Sequence, residues 1–219
     1  MTIPERPTGP GRPKDPAKRQ AILQAAQKLF LENGYEGTSM EAIASEAGVS
    51  KLTLYSHFMD KETLFNAAIR NICSTRLPCN LFQIEEDLGA LPQEKALQIV
   101  QQRLLDIGLA LQQLISSPES IGLHRVMVSK PNSELPKLFF EAGPRQLLND
   151  LQRLFQQIDN LGLLHIRQSE RAAEHFCALI KGLAHFHQLI GYAAPLDEQQ
   201  AFEHVSDVVA LFMRAYARA

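Results

Sequence analysis

Residues Thr38–Phe58 read TSMEAIASEAGVSKLTLYSHF. Apolar residues and chain breakers divide this stretch into two short helices. Ile43, Ala44 and Ala47 give the first an apolar face at helical spacing. Thr38 and Glu41, three apart, fit a capping box at its start. Gly48 stops it, because glycine alone takes positive φ without steric cost. Val49 packs at the turn, and Ser50 caps a second helix expected over Lys51–His57. Two short helices broken at a glycine form the helix-turn-helix pattern, in which the second helix carries side chains into the DNA major groove. An ordinary hairpin in an all-helical protein shows the same pattern.

The flanks extend the unit. Pro16 suits the first turn of a helix, and Ile22, Ala25, Ala26, Leu29 and Phe30 then recur at helical spacing up to Asn33-Gly34. After Phe58, Asp60 caps a further helix that keeps Leu64, Phe65, Ala68, Ile69 and Ile72 on one side and runs to about Arg76, before Pro78. Ahead of Pro16, residues 1–15 hold four prolines and read as a flexible basic arm. Its Arg12 and Lys14 are placed to follow a DNA backbone or enter a minor groove; a solubilising tail is the alternative.

At this point the residues resemble a known family. Arg19–Phe65 is similar to the N-terminal domain of the TetR family of transcriptional regulators. The matching residues are Ile22, Ala25, Ala26, Leu29, Phe30, Gly34, Tyr35, Thr38 and Ser39, then Ile43, Ala44, Ala47, Gly48, Val49 and Ser50. They end with Leu54, Tyr55, Phe58, Lys61, Leu64 and Phe65. Leu52, where a small residue is common, and His57, where an aromatic is common, depart from the pattern. The expected DNA contacts are Arg12, Lys14, Thr38, Ser50, Lys51, Leu52, Thr53, Tyr55, His57 and Lys61. Lys61, in the first turn of its helix, makes a phosphate clamp with the backbone N–H groups there. Leu54 and Phe58 are four apart and face the small core.

The remaining chain is long enough for a second helical body. The protein has 219 residues, a formal net charge of −2 and 21% charged residues, the composition of an ordinary globular protein. Charge alone therefore does not argue for nucleic acid, although four basic residues against one acidic one fall in Thr8–Arg19. Three cysteines (Cys73, Cys79, Cys177) without framework spacing point to free thiols in a reducing compartment, hence a cytoplasmic protein. No run of membrane-spanning length is present, and no membrane partner is expected. Glu85, Glu86 and Asp87 lack a ligand partner at metal spacing and read as a solvated face of a short helical piece, Leu81–Leu88. The histidines form no HExxH, and there is no serine elbow, P-loop or GxGxxG. No enzyme, metal or cofactor is therefore expected.

Long apolar-periodic helices are predicted over Gln93–Ile115, Glu119–Ser129, Gln146–Asp159 and Ala172–Ile190, with a shorter one over Ser133–Glu141. A last one runs from the Asp197 cap to near Arg218. Ser120–Gly182 also resembles, more loosely, the ligand-binding domain of one TetR subgroup, through Leu123-His124-Arg125, the segment Leu135–Pro144, and Ala172-Ala173-Glu174 before Phe176. The resemblance implies an all-α, TetR-like fold: a three-helix helix-turn-helix domain followed by a larger helical ligand-binding and dimerisation domain. The expected boundaries are 16–60 for DNA binding, 61–76 for a connecting helix and 77–219 for effector binding and dimerisation. The function implied is a homodimeric regulator on double-stranded DNA, a repressor released from a palindromic operator by a small, largely apolar effector. The expected effector residues are Leu104, Ile107, His124, Met127, Phe139 and Phe176, although each also fits plain core. Helices Gln146–Asp159 and Ala172–Ile190 are expected to pack on their copies, with Ala178 and Gly182 allowing close approach. A helical protein-interaction module with a degenerate DNA unit is the other class of function this pattern allows.

Overall fold

The computed structural model describes residues 15–84, 86–129, 131 and 133–218. Arg12, Lys14 and Glu85 lie outside these. All regular structure among the described residues is helical. The chain divides into two compact units, Met1–Leu64 and Phe65–Ala219.

The first unit contains α1 (Pro16–Gly37), α2 (Met40–Glu46) and α3 (Lys51–His57), and ends in the first turn of α4 (Lys61–Arg76). Asp15 caps α1 through Ala17 N, and Pro16 occupies a position where its missing N–H costs nothing. Helical geometry breaks at Gly34 (φ 70°, ψ 173°), a region essentially reserved for glycine. The start of α2 corrects the expected capping box. Ser39, not Thr38, is the cap, its hydroxyl accepting from Ala42 N at 3.1 Å. Gly48 makes the turn at φ 64°, and Ser50 caps α3 through Thr53 N. Asp60 caps α4 through Thr63 N at 2.7 Å. Ile22, Leu23, Ala26, Phe30, Ile43, Leu54 and Phe58 are buried together as the core of the unit.

The second unit holds the rest of α4 and then α5 (Gln93–Ile115), α6 (Pro118–Ser129), α7 (Leu135–Ala142), α8 (Pro144–Asn160), α9 (Ser169–Leu189) and α10 (Glu198–Ala215). Between α4 and α5 the chain forms two 3-10 turns, Cys79–Phe82 and Glu86–Ala90. These replace the single helical piece expected over Leu81–Leu88, a run too short to sustain an α-helix of its own. Helix α8 packs along α9, and α10 along α5. Phe155, Phe176 and Phe212 meet at the centre, with ring centroids 4.9–6.0 Å apart. Gly108 lets α5 approach its neighbours closely: a Cβ there would stand 2.5 Å from Val205 Cγ1. Asp197 and Gln200 form a reciprocal capping box on α10.

Two features of α8 and α9 bear on their expected packing against a second copy. Their wide apolar faces are used within the chain: Leu151, Leu154, Phe155 and Ile158 of α8, and Ala172, Ala173, Phe176 and Ile180 of α9, are buried in this core. Gly182 is not a small residue within a continuous helix. It breaks α9 at φ 51°, ψ −166°. The break frees the Ile180 carbonyl from the helical ladder, and His204 of α10 satisfies it, Nε2 donating at 2.9 Å. Beyond the break Leu183, Phe186 and Ile190 are exposed.

Gly182→Ala is expected to destabilise the protein by about 1–3 kcal/mol, since alanine must enter a glycine-only region with its Cβ 3.1 Å from His204 Cε1. Denaturant titration measures it. An unchanged midpoint would mean that the break relaxes to a straight helix without cost.

Candidate nucleic-acid interface and effector cavity

Helix α3 has two unequal faces. Leu54 and Phe58 are fixed in the core, and full burial of such side chains is worth about 1.5–3 kcal/mol each. The opposite face is open. Leu52 is 82% exposed, and Ser50, Lys51 and Tyr55 are exposed beside it. Lys51 pairs with Glu41 of α2 at 3.2 Å with both side chains largely in solvent. Glu41's carboxyl is held below its ordinary range by a backbone hydrogen bond and by Lys51. Thr53 is half-buried, its hydroxyl 2.9 Å from that of Ser50, so its methyl group is the part left for a contact. His57 is half-buried against Phe58.

Two of the expected contact residues are engaged inside the unit. Thr38 is only 2% exposed. Its hydroxyl proton is shared between the Gly34 carbonyl at 2.7 Å and the Leu29 carbonyl at 2.9 Å. Thr38 therefore locks the end of α1, and its hydroxyl is engaged there rather than turned outward. Lys61 Nζ donates to the Tyr35 carbonyl at 2.9 Å and lies 4.4 Å from the Tyr35 ring centroid. The expected free phosphate clamp is thus an ammonium with one N–H already committed. Burial, then the acids Glu62, Glu36 and Asp60, raise the Tyr35 phenol above its usual range. Arg19, 5.3 Å from the Phe58 ring centroid, is a further cation on this unit that sequence spacing did not single out.

The second unit contains a cavity of about 140 Å³. Six helices line it: Ile69, Ile72, Cys73 and Leu77 from α4, Leu111, Leu114 and Ile115 from α5, Ser120, Leu123 and His124 from α6, Phe139 and Phe140 from α7, Pro144, Leu147 and Leu148 from α8, and Cys177 and Lys181 from α9. Of the six expected effector residues only His124 and Phe139 are here. Leu104, Ile107 and Phe176 are fully buried core, and Met127 is buried away from the lining. Helix α5 explains the displacement. Its Gly108 region faces Phe176, Ile180 and Val205, whereas the next turn, starting at Leu111, turns to the cavity. The lining from α4 and α8 was missed because helix periodicity marks a buried face without marking where the packing is left incomplete.

The cavity is apolar with a polar corner. Burial pushes the Cys73 and Cys177 thiols up to about 11, so both are protonated at neutral pH. His124 Nδ1 stands 2.7 Å from the Ser120 carbonyl, which can only accept, so Nδ1 carries the proton. The His124 ring meets Phe139 edge-on at 5.3 Å and His185 at 5.1 Å. Burial, and then Lys181, lower the His124 pKa against the raising effect of the Ser120 bond. His185 is held down to about 4 by burial, His124 and Lys181. Among the described residues no group of three or more His, Cys, Asp or Glu side chains could hold a metal ion, and no helix is long and apolar enough to cross a membrane.

Comparison with known proteins agrees with this architecture. Residues 22–68 match the family described as bacterial regulatory proteins, tetR family. Residues 102–218, more than half of the chain, match the AefR-like transcriptional repressor C-terminal domain. The chain belongs to the TetR family of transcriptional regulators. It is similar to the HTH-type transcriptional regulator RutR of Escherichia coli K12, with 43% identity over 76 residues, 34% of this chain and 35% of RutR. The E. coli K12 regulator UidR is 47% identical over 51 residues, 23% of this chain and 26% of UidR. The chain thus spans about a third or less of the length of these curated relatives. Among solved structures, a protein of Mesorhizobium loti assigned to the TetR family superposes with TM-score 0.73 and 25% identity, covering 93% of this chain and 100% of that one. The flavonoid-responsive regulator FrrA does so with TM-score 0.68 and 26% identity, covering 92% and 98%.

Thr38→Val is expected to lower stability by about 0.5–1.5 kcal/mol by removing the hydroxyl that bonds the part-buried Gly34 and Leu29 carbonyls. Denaturation of the purified variant tests it; unchanged stability with weakened DNA binding would return Thr38 to the contact surface. A second outcome concerns pH. An imidazole in the unfolded chain titrates near about 6.5, whereas His185 in the fold does so at about 4. Between these values the unfolded chain binds more protons, so stability falls as pH drops through this window. Midpoints at pH 7 and pH 4.5 should fall less for His185→Phe than for the wild type; an equal fall would remove His185 from the cause.

Proposed function

We propose that the chain is a ligand-responsive DNA-binding transcriptional regulator, acting as a homodimeric repressor that leaves a palindromic operator when a small, largely apolar effector binds. The observation that carries this reading is α3: a short helix anchored by Leu54 and Phe58 that holds Lys51, Leu52 and Tyr55 outward. Exposed leucine at this density of neighbouring polar groups suits contact with a thymine methyl. Lys51 and Tyr55 suit phosphates, as do the uncommitted N–H groups of Lys61 and the cations Arg12 and Lys14 of the arm. Ser50 and Thr53 lie at the helix start, where base edges come within reach, and His57 adds a contact at the helix end.

A two-fold dimer pairs with a site of matching symmetry. The surface proposed for the second copy is the exposed part of α9 after its break, Leu183, Phe186 and Ile190, with the polar outer face of α8. The effector is assigned to the cavity of the second unit, where His124 and Phe139 lie. It acts by binding the two protein conformations unequally, and a 100-fold change in DNA affinity requires about 2.7 kcal/mol of such coupling. FrrA is described as flavonoid-responsive, which supports an effector-responsive reading without naming the effector here.

Anisotropy titrations on operator and random duplexes over a range of salt test the reading. Lys51→Ala is expected to weaken both and to reduce the log–log salt slope by about 1, while Leu52→Ala changes the ratio of operator to random affinity. Loss of Lys51 also leaves Glu41 without its counter-charge near the phosphates. No preference for any genomic fragment over random DNA would reject the regulator reading in favour of a protein-interaction module.

A further inference from the structure

The charge and size of the cavity restrict its occupant. We propose, resting on the reading of this cavity as the effector site, that the effector is a compact anion with one ring-sized apolar body and a single carboxylate-like charge paired with Lys181.

Size comes first. A volume of about 140 Å³ is close to that of the ~150 Å³ dry cavity that holds one benzene molecule. Leu111, Leu114, Leu147, Leu148 and Phe139 make the walls, so the body is apolar and of about one ring. Fused ring systems and long acyl chains exceed this volume and would have to extend into the adjoining space that shares Cys73, Leu77, Gly143 and Leu147.

Charge comes second. Lys181 is the sole charged side chain in the lining, and no ion pair to it is found among the described residues. Its positive charge reaches three groups at this end of α9: it lowers His124, His185 and Cys177 alike. No carboxylate acts on any of the three. Glu141, the acid on α7, is held by Arg145 at 2.6 Å. With both imidazoles neutral and both thiols protonated, the exposed Lys181 is the charge at this corner at neutral pH, and it has no salt-bridge partner among the described residues.

An unpaired buried group supplies the third observation. His185 is 8% exposed, and its Nδ1 has no hydrogen-bond partner. It lies against His124, whose ring is part of the cavity wall. Three residues on, and so on the same side of α9, Gln188 is 5% exposed with both ends of its amide unpartnered. Native proteins rarely leave such atoms unsatisfied, and each one asks for an explanation. Neither of these two side chains is in the cavity wall: a head group that enters between His124 and Lys181 meets the His124 ring, and His185 lies behind that ring.

Isothermal titration of the full chain with benzoate and with benzamide tests the proposal, because the two are nearly equal in shape and differ in charge. Wild type is expected to bind benzoate about fivefold or more tightly than benzamide, the scale of a partly exposed charged hydrogen bond. Lys181→Met, at an exposed position that tolerates substitution, should abolish that preference while benzamide affinity stays within about twofold; Lys181→Arg should restore it. Equal binding of both compounds to wild type overturns the anion and leaves the cavity standing. A preference that survives Lys181→Met overturns the role of Lys181. Binding of neither compound to wild type overturns both the anion and the cavity assignment.

Discussion

A seven-residue helix does not hold itself together in water, because the cost of the first turn is not recovered over so short a length. Helix α3 exists because Leu54 and Phe58 are inserted in the core and because Ser50 satisfies a free N–H at its start. Its outer side chains are therefore presented by packing and not by helix propensity. Everything the first unit does depends on that anchoring. Thr38 fixes the end of α1 against its break, Tyr35 and Lys61 tie the start of α4 to the same region, and the turn at Gly48 sets how α3 leaves α2. None of these groups needs to touch a ligand to decide how α3 is offered to one.

The second unit places its polar groups by a similar device. The break at Gly182 separates Lys181, on the cavity side of the helix, from a shorter following segment that carries His185 and Gln188. His204 makes the break tolerable by occupying the carbonyl that the ladder gives up. Arg125 of α6 then holds the carbonyls of Gln188 and Leu189, at 2.9 and 2.8 Å, where the segment ends. An imidazole at one end and a guanidinium at the other define a segment of α9 that is tied to α10 and α6 by side chains on carbonyl oxygens.

Much of this architecture is legible in the chain. The bounds of α3, α4 and α5 follow from caps, glycines and prolines, since these are local interactions that spacing records. The helix-turn-helix residues cohere because the small core imposes a strict inside on Ile43, Leu54 and Phe58. Thr38 misled because its hydroxyl has two uses, capping the next helix or locking the previous one, and only the position of the Gly34 carbonyl decides between them. The cavity is hidden in the sequence for a different reason. Leu104, Ile107 and Phe176 and the residues that line the cavity have the same apolar periodicity, and a void is a property of six helices at once. Gly182 was visible as a small residue, but its positive φ was not, because an isolated glycine in an apolar helix signals neither a break nor the histidine that accommodates one.

The three cysteines sit in unequal surroundings. Cys73 and Cys177 line the cavity with thiols that burial keeps protonated, whereas Cys79 is exposed in the first 3-10 turn. Thiolate, not thiol, is the nucleophile. A maleimide fluorophore added at neutral pH therefore reaches the exposed Cys79 first, ahead of the two half-buried thiols that burial keeps protonated. The chain carries a native preferred handle for optical work, and the slower labelling of the half-buried Cys73 and Cys177 reports on access to the cavity they line.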